Sequence, residues 1–286
     1  MKQSKSIFRK SWLMLAMILV LLFIYAPISW LVTSSISTRA DLLAMPPRFI
    51  PATITLKNYT AILFPGTGVS EVAQIFKITL INSFVIALAT TTICLIIASL
   101  AGYALARLRL KFKDHFIVGI LSIRMIPEIS LVIPLFIAAA RLGWLDKPIV
   151  LIVTYLSFSL PFAIWMLTTF FATIPVELED AALIDGSSRL NTLIRIILPL
   201  ASPGIISTAL FIFLLAWDEF FFALIFTSTT ASKTVPVAIA EFTGRYAVDI
   251  TGMMAGGVLA ALPPVILALI FQRYIVSGLS AGAVKG

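Results

Sequence analysis

PVELEDAALIDGSSRLNTLIRIILP, from Pro175 to Pro199, is an acidic and polar block set between long apolar runs. Its first half carries helix signals. Pro175 suits the start of a helix, Glu177, Glu179 and Asp180 favour its positive N-terminal end, and Leu178, Ala181 and Ala182 share a face. Gly186 should stop that helix, because glycine tolerates the left-handed C-cap and lets another backbone approach closely. Ser187 or Ser188 can then N-cap a second short helix that runs to a break at Pro199. The expected product is a helix, a glycine turn and a second helix lying at a membrane surface, shaped to be held by something soluble.

The rest of the chain supplies the membrane. Of its 286 residues 60% are hydrophobic and only 12% are charged, which excludes a soluble domain. Mean hydropathy is +1.07. Several apolar runs reach the roughly 20 residues that a bilayer-spanning helix needs, so the expected fold is all-α and polytopic rather than an outer-membrane barrel. Six spans are read: Trp12–Ile36, Thr79–Leu105, Phe116–Ala140, Ile149–Ala172, Gly204–Phe226 and Met254–Tyr274. The whole of residues 1–286 is taken as one membrane domain, with the 175–199 loop between spans four and five and a tail over 275–286. The basic start MKQSKSIFRK resembles that of a signal sequence. The apolar run after it is too long and lacks a small-residue cleavage site, so it is read as a retained first span. Trp12 and Trp30 fall near its ends, where indole rings favour the interface. Asn58-Tyr59-Thr60 matches a glycosylation sequon, a three-residue pattern common by chance.

A net charge of +8 does not point to nucleic acid, because the basic residues flank the spans and form no aromatic-interleaved patch. On the six-span reading, twelve Lys and Arg fall on the side holding both termini, the Arg107–Lys113 cluster and the 175–199 loop, against eight on the other. That bias puts both termini and the loop in the cytoplasm. Cys94 and His115 are the only residues of their kinds, so neither a disulfide nor a Cys/His metal site can form within one chain. No nucleophile and base constellation suggests an enzyme, and no G-x-x-x-x-G-K-[ST] phosphate loop occurs, so the chain has no ATP site of its own.

Ionisable groups inside the spans are few. Arg124 and Glu128 flank Pro127 at i,i+4 spacing in the third span and could pair. A charge at mid-bilayer costs at least about 2.5–3.5 kcal/mol, so both should face the bundle interior or a water-filled path. Asp218 and Glu219 follow Trp217 in the fifth span. Adjacent positions on a helix differ by about 100°, so these carboxylates are not a paired acid and base. Both pairs are open to two readings, packing between helices or contact with a solute.

Asp180-Ala181-Ala182, three residues, Gly186, nine residues, then Ile196-Ile197-Leu198-Pro199 resembles the EAA loop of ABC-importer permeases, E-A-A-x3-G-x9-I-x-L-P. It departs where Asp180 replaces the glutamate. The Pro27 and Trp30 first span, Leu56–Tyr59, Asn82-Ser83, Trp217-Asp218-Glu219 and the glycine-containing tail extend the likeness to the carbohydrate-uptake branch, the relatives of the smaller permease of maltose-type systems. The resemblance implies a bacterial inner-membrane permease whose loop is a coupling helix docked in a cytoplasmic ATPase, with Glu179, Asp180, Ala181, Ala182, Asp185 and Gly186 as the coupling residues. It implies two copies of that ATPase, which bind ATP and Mg, a second homologous permease and an extracytoplasmic solute-binding protein. Arg124, Glu128, Asp218 and Glu219 are then candidates for the translocation path of a sugar, oligosaccharide or sugar alcohol. Residues 282–286 are a candidate second contact with the ATPase. An ATP-independent secondary transporter would use the same four charges for ion coupling and should show an internal repeat with paired broken helices, which the sequence does not display by eye.

Overall fold

A computed structural model describes residues 2–46, 48–64, 66, 71–243 and 249–283. Among them the chain is helical throughout, with no β-strand, as the apolar periodicity requires of a chain whose backbone must satisfy itself in lipid. In order the helices are α1 (Lys2–Ser35), α2 (Arg39–Leu42), α3 (Lys57–Leu63), α4 (Glu71–Arg107), α5 (Lys113–Ser122), α6 (Glu128–Arg141), α7 (Pro148–Ala172), α8 (Val176–Ile184), α9 (Arg189–Thr192), α10 (Leu198–Leu200), α11 (Ser202–Asp218), α12 (Phe221–Phe226), α13 (Val235–Glu241) and α14 (Ile250–Ala283). A 3-10 turn, Ile123–Met125, follows α5, and a π-helical turn, Leu193–Ile197, joins α9 to α10.

Four helices are long and apolar enough to cross a membrane, at Trp12–Ser35, Val72–Arg107, Pro148–Ala172 and Ile250–Tyr274. The number rises to six if each of two bent pairs is one span: Lys113–Met125 with Glu128–Arg141, bent by 89°, and Arg189–Leu200 with Ser202–Asp218, bent by 82°. The third expected span is therefore not one straight helix. Pro127 disfavours helical geometry at Ile126, whose ψ is 124°, and α6 restarts at Glu128. The fifth expected span is also interrupted, at Glu219, where the backbone turns extended (φ −69°, ψ 124°) before α12. The expected tail from Ile275 onward continues α14 as helix to Ala283. Of the tail's candidate contact residues, 284–286 lie outside the described residues.

The chain forms two compact units, Met1–Lys77 with Ile239–Leu262, and Ile78–Ala238 with Pro263–Gly286. In the first, the large apolar side chains of α1 from Trp12 to Ile28 are exposed, with none buried against the chain. Past its end, the Asn58 amide donates to the carbonyls of Ser35 (2.8 Å) and Ser37 (3.1 Å), and the Ser35 and Tyr59 hydroxyls meet at 2.6 Å. Asn58 is thus engaged in holding the chain after α1. Phe76 and Phe242 pack 5.8 Å apart over Gly256.

The second unit has two apolar clusters. One gathers Ile86, Leu151, Tyr155, Trp217, Phe222 and Phe226, and the other Cys94, Tyr103, Leu167, Phe171, Ile197 and Ile212. Most hydroxyls in its long helices bond to their own backbone four residues back, as Thr91 does to Ala87 and Thr168 to Ile164, both at 2.7 Å, and Ser157 to Val153 at 3.0 Å. Asn82 and Ser83 instead reach across: the Asn82 amide donates to Thr230 and Lys233 carbonyls, and the Val235 amide donates to Ser83 Oγ.

Candidate functional site

Two regions of the second unit hold the site residues expected from the sequence. The first is the Pro175–Pro199 stretch. Its opening helix, α8, ends as its glycine demands: Gly186 has φ +83°, its N–H donates to Leu183 O (3.1 Å), and the Ser187 N–H donates to Ala182 O (2.9 Å). These are the two bonds of a Schellman cap, which needs a residue content in the left-handed region. Ser188 is the N-cap of α9, its side chain accepting from the Asn191 N–H at 3.3 Å. The helix then passes through Pro199 to Leu200 and bends at Ala201 rather than breaking at the proline.

Helical phase sorts the residues of α8. Glu177, Asp180, Ala181 and Ile184, spaced i, i+3, i+4 and i+7, are uncovered by the chain, and Ile184 is 86% exposed. Asp185 and Gly186 are uncovered too, whereas Glu179 and Ala182 turn inward and are 3% and 8% exposed. The six expected coupling residues are therefore divided. An outward charge contact from Glu179, or a small outward face including Ala182, does not fit this burial, because the i,i+3 spacing that unites them places both on the side packed against the chain. Ile184 was absent from the expected set. A lone isoleucine near a helix end reads as core, and only its phase with Asp180 and Ala181 marks it as outward.

The second region is a cavity of about 370 Å³ that brings together all four of the intramembrane charges, Arg124, Glu128, Asp218 and Glu219, with Tyr155, Phe158, Phe211 and Phe222 among its walls. Arg124 and Glu128 form no ion pair in it. The bend at Pro127 removes the continuous helix that i,i+4 pairing needs, and the Arg124 guanidinium instead sits 6.0 Å from the centre of the Phe162 ring, itself 4.2 Å from Phe211. Asp218 and Glu219 do not share a continuous helix either. Glu219 caps α12, accepting from the Phe222 N–H (2.8 Å), the Ala223 N–H (3.1 Å) and the Tyr155 hydroxyl (2.6 Å). Asp218, the last residue of α11, is left facing the cavity uncovered.

Asp146, in the turn between α6 and α7, is a polar centre that the sequence reading did not single out. It has a positive φ of 57°, and its carboxylate accepts from the Ser228 N–H (2.8 Å), the Thr229 N–H (2.9 Å), the Thr229 hydroxyl (2.6 Å) and the Ser232 hydroxyl (2.8 Å). Burial pushes this carboxyl up, but the hydrogen bonds from Thr229, Ser228 and Ser232 outweigh it and hold it well below the usual carboxylate range. Its partners lie more than eighty positions away, so no local pattern could have revealed it.

Residues 98–281 match the family described as binding-protein-dependent transport system inner membrane component. The chain is 38% identical over 283 residues to the trehalose/maltose transport system permease protein MalG of Thermococcus litoralis, covering 99% of each. It is 39% identical over 270 residues to the trehalose transport system permease protein SugB of Mycobacterium tuberculosis, covering 94% of this chain and 95% of that one. Its fold is similar to a chain in the crystal structure of a bacterial ABC transporter involved in the import of the acidic polysaccharide alginate, with a TM-score of 0.79, 22% identity and coverage of 95% and 97%. A family match across most of the chain, two relatives of nearly full length and several membrane-length apolar helices lead to one conclusion: the chain belongs to the binding-protein-dependent transport system inner membrane component family and is a multi-pass inner-membrane permease.

Proposed function

We propose that this chain is one permease subunit of an ATP-driven, binding-protein-dependent importer of a carbohydrate-like solute, lining half of the translocation path and transmitting ATPase motion through residues 175–199. The observation that carries the reading is the uncovered face of α8, with Glu177 and Asp180 beside Ala181 and Ile184, raised on a Schellman turn from an otherwise apolar chain. Two carboxylates around a small residue and an exposed isoleucine suit a groove with basic walls and an apolar floor. The partner offering that groove is the cytoplasmic ATPase, in two copies, which binds ATP and Mg. A second homologous permease completes the path and an extracytoplasmic binding protein delivers the solute. In this reading α5 with α6 is span three of six, α11 with α12 is span five, and both termini and the 175–199 loop are cytoplasmic.

Carbohydrate as the solute class comes from the relatives named for trehalose and maltose. The cavity suits such a solute: Asp218, Glu128 and Arg124 offer hydroxyl partners, and Phe158, Phe211 and Phe222 offer apolar faces to a sugar ring. The test is gentle purification of the tagged chain from its native membranes, with its companions identified by mass spectrometry. Recovery of an ATPase, a second permease and a binding protein is expected. Recovery of the chain alone, with uptake that survives ATP depletion and collapses with a protonophore, would overturn the proposal.

A further inference from the structure

The last turn of α4 and the inward face of α8 share a buried charge cluster that the coupling reading does not use. Tyr103 and Arg107, at i,i+4 on α4, both point at Glu179. The Tyr103 hydroxyl donates to Glu179 Oε1, and Arg107 Nε lies 3.1 Å from Glu179 Oε2 in an ion pair too bent to be a hydrogen bond. The Arg107 and Glu179 side chains are 6% and 4% exposed. Arg107 also reaches the segment before α8, donating from Nη2 to the Ile174 carbonyl at 2.7 Å. From the far side of the glycine turn, Arg189 Nη1 approaches Glu179 Oε1 at 3.7 Å. One carboxylate thus joins the end of α4 and both short helices of the loop, above the apolar cluster of Tyr103, Phe171, Ile174 and Leu193.

We infer that Glu179 is a positioning residue: with Arg107 and Tyr103 it forms a buried charged brace, flanked by the 57% exposed Arg189, that fixes the direction in which α8 presents Glu177, Asp180, Ala181 and Ile184. A buried pair need add little net stability, but removing one partner strands the other charge away from water and loosens whatever the pair aligned. A brace of this kind makes α8 move with α4 instead of flexing on its glycine turn, so displacement of α8 reaches a membrane-length helix. The inference deepens the coupling role proposed above and rests on it for the identity of the docked partner.

The test uses the full chain purified with its companions, as wild type, Glu179→Gln, Arg107→Gln, the charge swap Arg107→Glu with Glu179→Arg, and Asp146→Asn as a control of unrelated position. Amide hydrogen exchange over residues 176–192 should be at least about tenfold faster in Glu179→Gln, with the apolar helices unchanged, because a stranded buried charge favours local opening. ATPase retained per permease should fall in the same variant. The swap should recover much of both losses, and Asp146→Asn, which weakens the chain away from α8, should leave both at the wild-type level and so separate local opening from a general loss of stability. Wild-type exchange over 176–192 in Glu179→Gln would overturn the brace, and so would a swap no better than the single variants. Should Arg107→Gln fail to insert, Glu179→Gln and the swap still decide. A wild-type chain that retains no ATPase would overturn the coupling reading, leaving the exchange rates to judge the brace alone.

Discussion

Gly186 ends α8 with its backbone in the left-handed region. Its φ of +83° favours glycine, while a side chain there would meet nothing within 4 Å. Strain, not crowding within the chain, is what a substitution incurs, about 1–2 kcal/mol for an ordinary L-residue. Gly186→Asn, which tolerates the left-handed region, should therefore keep the turn, and Gly186→Ala should weaken it. Gly186→Arg should abolish coupled uptake at unchanged membrane levels, since its bulk would also meet the docked partner. Uptake assays on the three separate the two causes: loss with Asn as well as Arg would assign the glycine to close approach rather than to the turn. Asp146 permits a different prediction. Asp146→Asn removes charge from four hydrogen bonds and should cost about 1–2 kcal/mol, visible as a lower melting temperature in detergent. Because its folded pKa is depressed, its contribution is present above the unfolded carboxylate value of about 3.9 and is lost as pH falls toward the folded one. The gap between wild type and variant should stay level from about pH 5 to 8 and narrow below about pH 4.

At the scale of elements, proline and glycine decide how helices bend and approach. Pro127 turns the third span through 89° and holds Arg124 and Glu128 apart at the cavity. Pro127→Ala should let α5 and α6 join, allow the i,i+4 pair to close, and lower uptake while the amount in the membrane stays the same. Unaltered uptake would detach the bend from function. Gly102 marks where α4 crosses α7: a Cβ there would lie 3.1 Å from the Thr168 amide nitrogen and 3.2 Å from Leu167 Cβ. Gly102→Leu would force the helices apart, and about 1–3 kcal/mol of overpacking should appear as reduced yield and a lower melting temperature. Much of this level was legible beforehand. The capping glycine and the following serine cap are local, and they formed where their chemistry placed them. The breaks at Ile126 and Glu219 were not, because a proline can kink a helix or end it, and capping by Glu219 needs α12 to begin beside it.

For the molecule as a whole, the charge bias of the loops is the physical handle on orientation. On a background in which Cys94 is replaced by Ser, a cysteine introduced by Asp185→Cys should be labelled by an impermeant thiol reagent in inverted vesicles and not in intact cells. Thr230→Cys should behave in the opposite way. Labelling of both from the same side would defeat the six-span reading, and with it the cytoplasmic coupling loop.

The sequence by itself determined that this chain is a helical membrane protein, where its long apolar segments lie, and that one acidic stretch with a glycine turn stands apart from them. Those properties follow from composition, periodicity and spacing, which act over a few turns of one helix. Only the tertiary structure decided which side of that stretch is free. Glu179 and Asp180 are neighbours with the same charge, yet one is buried against Tyr103 and Arg107 and the other is uncovered. The difference arises from a helical phase of about 100° per residue combined with partners more than seventy positions away, and no local pattern contains both.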